Sequence, residues 1–571
     1  MISASQTGRL LSRRQNEPVL GSSTTRRGRA HMSIRQSSIF LAIALVLAAA
    51  CAPAGTPGTS GSPGASPSAS AGGAATTLVI DRDTSDLISL DPAVLYEFSA
   101  VFATHNVYET LVKFEGTDLT TPKASLATSW DVKDAGTTND ITFKLKSGVK
   151  FASGNPLTAD DVVYSFQRAI KLNKSPAFLF TDIAGLKPES IKATDPSTVV
   201  VSVPKTSSTQ TFLIILTFTI GGIVDSKEAK AHEASGDFGS AYLLDHSAGS
   251  GPFAVDHWTK NTEVLLKANP NYGGTKPALS AVLFKHVPEP ANQQFALEKG
   301  DIDIANDLGP EQITALQGKA GVTTTSADSL LLVYVGMNAM VKPLDNVKVR
   351  EALRTAVDYD GIIKDLLKGN GSKVQGIVPK GLAGYNDSAP FQADVSKAKD
   401  LLQQAGQTSV TLDFLVPTGQ APGGAAWSDI AAKLKSDWAK IGVTVNIKQT
   451  TTADLLGTYR AQKGQLVMIN WGPDYPDPGA NVNPFTDYKA KSIAYRNGWD
   501  DATIAQKAHD AELTADPAKR VAAYKDIGDY VLHNGPYVVL YQPKELFGLR
   551  SNVKGFNWSS IGWAELASVT K

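Results

Sequence analysis

Residues 143–169 read FKLKSGVKFASGNPLTADDVVYSFQRA, and this stretch sets the fold class. Its first part belongs to a run, 141–151 (ITFKLKSGVKF), in which apolar and basic residues alternate around Gly148. That spacing predicts a half-buried hairpin. Its second part opens a helix. Thr158 is a suitable N-cap, Asp160 and Asp161 suit the positive helix end, and Val162, Val163, Phe166 and Ile170 form the apolar face. Gly148 and Gly154 permit tight turns, and Pro156 fixes the chain's entry into the helix. A period of two followed directly by a period of 3.6 marks a mixed α/β chain.

Outward from this stretch the same alternation continues without a repeat of fixed length. Upstream, Thr77 begins an apolar run of strand length (TLVI), and a helical segment is expected at Ser99–Val112. Downstream, helices are expected at 292–299, 347–368, 394–405, 426–441 and 516–533. Strands are expected at 263–268, 281–287, 330–337, 410–416, 443–448, 465–471 and 537–541. Gly300-Asp301 ends a helix, and Asp516-Pro517 starts one with Asp516 as N-cap. The 571 residues exceed what one compact core accommodates, so at least two lobes are expected.

The N-terminus reads as an address. Residues 39–50 (IFLAIALVLAAA) follow Arg35 and end in small residues before Cys51, giving a charged segment, a short apolar core and a cleavage site. The apolar run is short for a membrane span. Residues 1–31 read as a basic leader or as an extension upstream of a start at Met32, and residues 32–50 as a lipoprotein signal peptide. Cys51, the sole cysteine, is then the lipidation site, although the pattern wants a branched apolar residue where Ala48 stands. An ordinary secretory signal with an incidental cysteine is the alternative. Residues 51–76, rich in Gly, Ser, Pro and Ala, lack an apolar face and read as a flexible tether.

Composition excludes several functions. Lys plus Arg and Asp plus Glu are 55 each, but the first fifty residues hold seven arginines and one acid, which leaves 48 bases against 54 acids in the remainder. A body of net charge −6 has no electrostatic reason to bind nucleic acid. One cysteine excludes an internal disulfide and a thiolate metal cluster, and the eight histidines show no zinc-binding spacing. Neither a G-x-S-x-G elbow nor a G-x-x-x-x-G-K-[ST] loop is present, so an enzyme is not expected, and neither is a cofactor or a resident metal.

Ten segments in one order carry a family resemblance. They include SLDPA (89–93), HNVYETLVKFEG (105–116), the opening 143–169 stretch, GSGPFAVDHW (249–258), ALEKGDIDIA (296–305), NVKVREALRTAVDYDGII (346–363) and WGPDYPDPGANVNPF (471–485). Together they resemble the dipeptide- and oligopeptide-binding family 5 of extracellular solute-binding proteins, the two-lobed receptors of ATP-driven importers. The resemblance implies a class II periplasmic-binding-protein-like fold. Lobe I would span 77–329 with an extra subdomain near 120–240, lobe II would span 330–540, and 541–571 would return to lobe I. It also implies a monomer outside the cytoplasmic membrane, serving a membrane permease and its ATPase. The solute is a peptide, or alternatively an oligosaccharide or a nickel complex; a sensor that signals rather than feeds a transporter is a further alternative.

Residues 471–478 (WGPDYPDP) hold the candidate site. Three prolines and a glycine after an apolar strand make a stiff loop at a strand end, where open α/β sheets bind ligands. By the resemblance, Asp474 pairs with a ligand ammonium, and Tyr96 and Glu97 face the ligand from across the cleft. From the loop itself, Trp471 and Tyr475 are expected to form an aromatic wall, with a place in the core as the alternative for Trp471, and Asp477 is a second candidate acid. Turn capping is the competing role for both aspartates. Some oligopeptide binders place an arginine three residues before this tryptophan to hold ligand carboxylates. Met468 stands there, so no carboxylate clamp is evident.

Overall fold

The computed structural model describes residues 76–571 apart from Thr117. Cys51 and the expectations on residues 1–75 lie outside the described residues.

The helix of the opening stretch forms as Ala159–Leu172. The Thr158 backbone N–H donates to Asp161 Oδ2 at 2.8 Å and its hydroxyl to the same oxygen at 3.0 Å, while left-handed Asn173 ends the helix. Val162, Phe166 and Ala169 are buried. Arg168, on the same helix, is 1% exposed and grips Asp91 of the SLDPA segment through Nη1–Oδ1 (2.7 Å) and Nη2–Oδ2 (2.6 Å). A completed pair of this kind fixes the two segments against each other, since stranding either charge costs about 3–5 kcal/mol.

The hairpin expected at 141–151 does not form. Thr138–Leu145 is a strand, but it pairs with Ala127–Asp134 and with the distant Thr198–Pro204. After Gly148 (φ +73°) the chain leaves the sheet, and Lys150 makes only an isolated bridge to Pro156. Val199, Val201 and Val203 supply the buried neighbours that alternation alone could not locate. With Ile191–Asp195 these strands make a four-stranded sheet inside the 120–240 stretch.

The main sheet has twelve strands among the described residues and is organised on one long strand, Tyr537–Arg550. The first half of that strand pairs with Leu332–Met337, beyond which lie Leu466–Trp471, Val410–Pro417 and Val443–Thr450. Its second half pairs with Val322–Asp328 and Ile304–Ala305, beyond which lie Thr77–Arg82, Ala281–His286, Glu263–Ala268 and Phe253–Thr259. Parallel and antiparallel pairs are mixed within it. The fold is thus mixed α/β and two-lobed. The chain passes from one half to the other at 329–331 and returns along the long strand. Buried Gln542 ties the two passages by donating to the carbonyls of Ser329 and Lys380.

Two helical expectations are corrected. The segment read as Ser99–Val112 is helical only over Phe98–His105, and Val112–Glu115 is a strand. The run 347–368 breaks into Val347–Thr355, Tyr359–Gly361 and Ile362–Leu366. Asp358 causes the break: its carboxylate accepts the Gly361 N–H at 2.9 Å and restarts the helix.

Candidate functional site

The strand Leu466–Trp471 runs parallel to Val410–Pro417, and the proline-rich loop leaves its carboxyl end. Here the sheet opens on a cavity of about 540 Å³, within the range of small-molecule sites. Gly472, Pro473, Asp474 and Tyr475 line it from the loop, and Tyr96, Glu97 and Phe98 from the start of the helix Phe98–His105.

Asp474 is half-buried and pairs with no cation among the described residues. Burial pushes its carboxyl above the ordinary range, and the adjacent Tyr96 hydroxyl offsets part of that rise. Tyr96 is raised in turn, by burial first and then by the Asp474 charge. Its ring is held edge-on between Phe178 and Phe218, at 6.0 and 6.1 Å. The hydroxyl lies beside the carboxylate without a hydrogen bond of good geometry. The Glu97 carboxylate accepts the Tyr96 N–H at 2.9 Å and also borders the cavity.

The remaining loop residues divide. Tyr475 lines the cavity but is 4% exposed. Trp471 is half-buried behind the loop and does not line it. Its indole N–H points to the Ala480 carbonyl at 3.4 Å, and its ring meets Phe485 edge-on. Asp477 is fully buried away from the cavity: Oδ1 accepts from Arg520 and from the Gly479 N–H, both at 2.8 Å. Its expected role as a second ligand-facing acid is corrected by this burial and ion pair, which turn Oδ1 inward, while Oδ2 is buried without a hydrogen-bond partner among the described residues. Met468 is buried in the apolar core it shares with Val335, Phe414, Trp438 and Val538.

Polar lining residues that the sequence reading did not single out include Arg82, Asn306, Asp307 and Glu545. Arg82, the Asn306-Asp307 pair and Glu545 stand far apart in the chain and meet because Thr77–Arg82 and Ile304–Ala305 are adjacent parallel strands, the latter paired with the long strand. Burial, reinforced by Asp307 and opposed by Arg82, pushes the Glu545 carboxyl up to about 7. With Asp86, the cavity carries five carboxylic side chains against a single guanidinium. Such a surplus favours a cationic guest. Among the described residues no group of three or more His, Cys, Asp or Glu is arranged to hold a metal ion, and no helix is long and apolar enough to cross a membrane.

The model of the bacterial extracellular solute-binding proteins, family 5 (middle region) matches residues 121–492. The chain belongs to this family. As a family 5 solute-binding protein it is 30% identical over 485 residues to the Probable D,D-dipeptide-binding periplasmic protein DdpA of Escherichia coli (strain K12), covering 84% of this chain and 91% of that relative. It is 29% identical over 478 residues to the dipeptide-binding protein of the same organism, with 80% and 87% covered. Among solved structures, the periplasmic binding protein DppA from Helicobacter pylori, in complex with the peptide STSA, superposes with a TM-score of 0.70 at 25% identity, covering 86% of this family 5 chain and 97% of that one.

Proposed function

We propose that this solute-binding protein captures short peptides by their free N-terminal ammonium, which Asp474 receives, and delivers them to an ATP-driven importer. The observation that carries the reading is the half-buried Asp474, paired with no cation among the described residues, at a cavity already rich in carboxylates. An enclosed carboxylate and ammonium form charge-assisted hydrogen bonds, and neither is favourably buried alone. Relatives that bear dipeptide-binding names support the peptide as the solute class. Lobes at 77–329 and 330–540, with 541–571 returning to the first, close around the ligand by bending at the two chain passages. Acylation of Cys51 anchors this monomer at the outer face of the membrane, and residues 52–76 act as the leash.

An equimolar pool of Xaa-Leu dipeptides, read by native mass spectrometry, tests the assignment. The free peptides are expected to bind, and the matching N-acetylated pool to bind about 10- to 100-fold more weakly. Asp474→Asn removes that discrimination. Equal binding of free and acetylated peptides by the unmodified protein overturns the role of Asp474.

A further inference from the structure

We propose that Arg82, with Asn306 beside it, forms a second subsite in the same cavity that receives a carboxylate of the bound peptide. This rests on the peptide reading above and names the group that the other end of the ligand must present.

Arg82 closes the strand Thr77–Arg82 and is 7% exposed, yet its side chain is unsatisfied. Nε and Nη1 are buried without hydrogen-bond partners, and no carboxylate forms an ion pair with it among the described residues. The guanidinium lies over the Phe102 ring at 5.4 Å, which steadies it but uses none of its N–H donors. A buried cation with idle donors is costly unless something fills them.

The neighbouring acids do not fill them. Asp307 is directed elsewhere: Oδ2 accepts the Asp83 N–H at 2.6 Å and Oδ1 accepts from Asn306 at 3.1 Å. Glu545 borders the cavity nearby but stays outside ion-pair distance of Arg82. Asn306, 2% exposed, also lines the cavity at the end of the strand paired with that of Arg82 and keeps a buried Oδ1 without a donor, an unused acceptor for a ligand amide N–H. Asn306 N–H donates to the Asp81 carbonyl, which sets the two side chains on neighbouring parallel strand ends.

The cavity therefore has a cation-seeking group in Asp474 and an anion-seeking group in Arg82, both lining one volume of about 540 Å³. A short zwitterion satisfies both, and a planar guanidinium fits a carboxylate in the bidentate manner. Position 468 does not supply the clamp, because Met468 is in the core. Arg82 reaches the ligand instead from the N-terminal strand, on the other half of the sheet.

The test compares the Xaa-Leu pool with Xaa-Leu-amide, and Xaa-Glu-amide with Xaa-Gln-amide, in the unmodified protein, Arg82→Met and Arg82→Lys. The unmodified protein is expected to prefer the carboxylate member of one pair by about 10- to 100-fold. Preference in the first pair identifies the α-carboxylate, and in the second pair a side-chain carboxylate. Arg82→Met abolishes the preference while leaving the penalty for N-acetylation intact, and Arg82→Lys keeps part of it. If Arg82→Met does not fold, the Lys variant decides: a reduced preference supports the subsite and an unchanged one overturns it. Equal binding within both pairs by the unmodified protein, or a full preference surviving in Arg82→Met, also overturns it. Loss of the N-acetyl penalty, by contrast, defeats the Asp474 reading and not this one. A pool that does not bind at all defeats both.

Discussion

Asp474 and Asp477 stand three residues apart on one proline-bounded loop, and the fold treats them oppositely. Asp477 is sealed inside, gripped by Arg520 and by the Gly479 N–H, while Arg520 also reaches toward Thr211 in the helix Thr209–Ile215 of the other half. Asp474 lines the cavity with a tyrosine hydroxyl for company and no cation paired with it among the described residues. The difference is one of charge balance: the chain supplies a cation to Asp477, although its Oδ2 stays without a hydrogen-bond partner among the described residues, and supplies none to Asp474 at the opening, which is where the proposed peptide ammonium would pair. The first serves the second. A loop stapled at Asp477 restrains the neighbouring Asp474, so under the proposed role little ordering would remain to be done on binding.

The sharpest way to break this contrast is to strand the buried acid. Arg520→Met leaves Asp477 enclosed without its cation and is expected to cost about 3–5 kcal/mol in urea denaturation. Combining it with Asp477→Asn recovers part of the loss, because no charge then remains buried. A cost below about 1 kcal/mol for Arg520→Met means that the pair does not staple the loop.

Asp474→Asn is expected to behave in the reverse way, with a smaller effect on stability and of opposite sign. Its carboxyl is raised in the folded protein, by burial first, so the ionised form works against folding at pH 7. Removing the charge leaves the unfolding free energy measured in urea unchanged or raises it by up to about 1 kcal/mol. A loss as large as that from Arg520→Met erases the distinction between the two acids.

The sequence revealed the loop and its stiffness but not the fate of each side chain. Strands such as 263–268 and 443–448 were legible because each carries its own period, and they form as Glu263–Ala268 and Val443–Thr450. The helix expected at 426–441 forms as Trp427–Ala439, with Trp438 in the core. The hairpin at 141–151 was misread because alternation states that a strand has a buried face and not which strand covers it. The place of Asp474 at the cavity was suggested by its position after a tryptophan in a family pattern. The sealing of Asp477 was not, since its partner lies 43 positions away on another helix. Arg82, Asn306 and Glu545 were illegible for the same reason on a larger scale. Each looks like an ordinary polar residue at the edge of an apolar run, and only the crossing of distant strands beside Tyr537–Arg550 gathers them.

Glu545 lies between the two extremes and gives the smallest and most specific test of the comparison. It has a cation in its surroundings, yet that cation is not paired with it; Asp307 and Arg82 are the charges that face it. Its carboxyl is raised from 4.5 to about 7, so the folded state holds the proton more tightly than the unfolded chain does. The associated stability is fully present below pH 4.5 and is lost as pH rises through about 7. A shift of this size corresponds to at most about 3 kcal/mol. Glu545 keeps an edge open to the cavity, so about 1 kcal/mol is the effect to expect after screening. Ligand-free protein is therefore expected to be less stable at pH 8 than at pH 5 by about that amount relative to Glu545→Gln. The difference between the two proteins is the quantity to measure, because other groups titrate in the same window, Asp81 at about 6 among them, and cancel in it. An identical pH profile for both proteins means that Glu545 is already matched inside the fold as Asp477 is, and that the anion-seeking end of the cavity carries one open charge fewer than its geometry indicates.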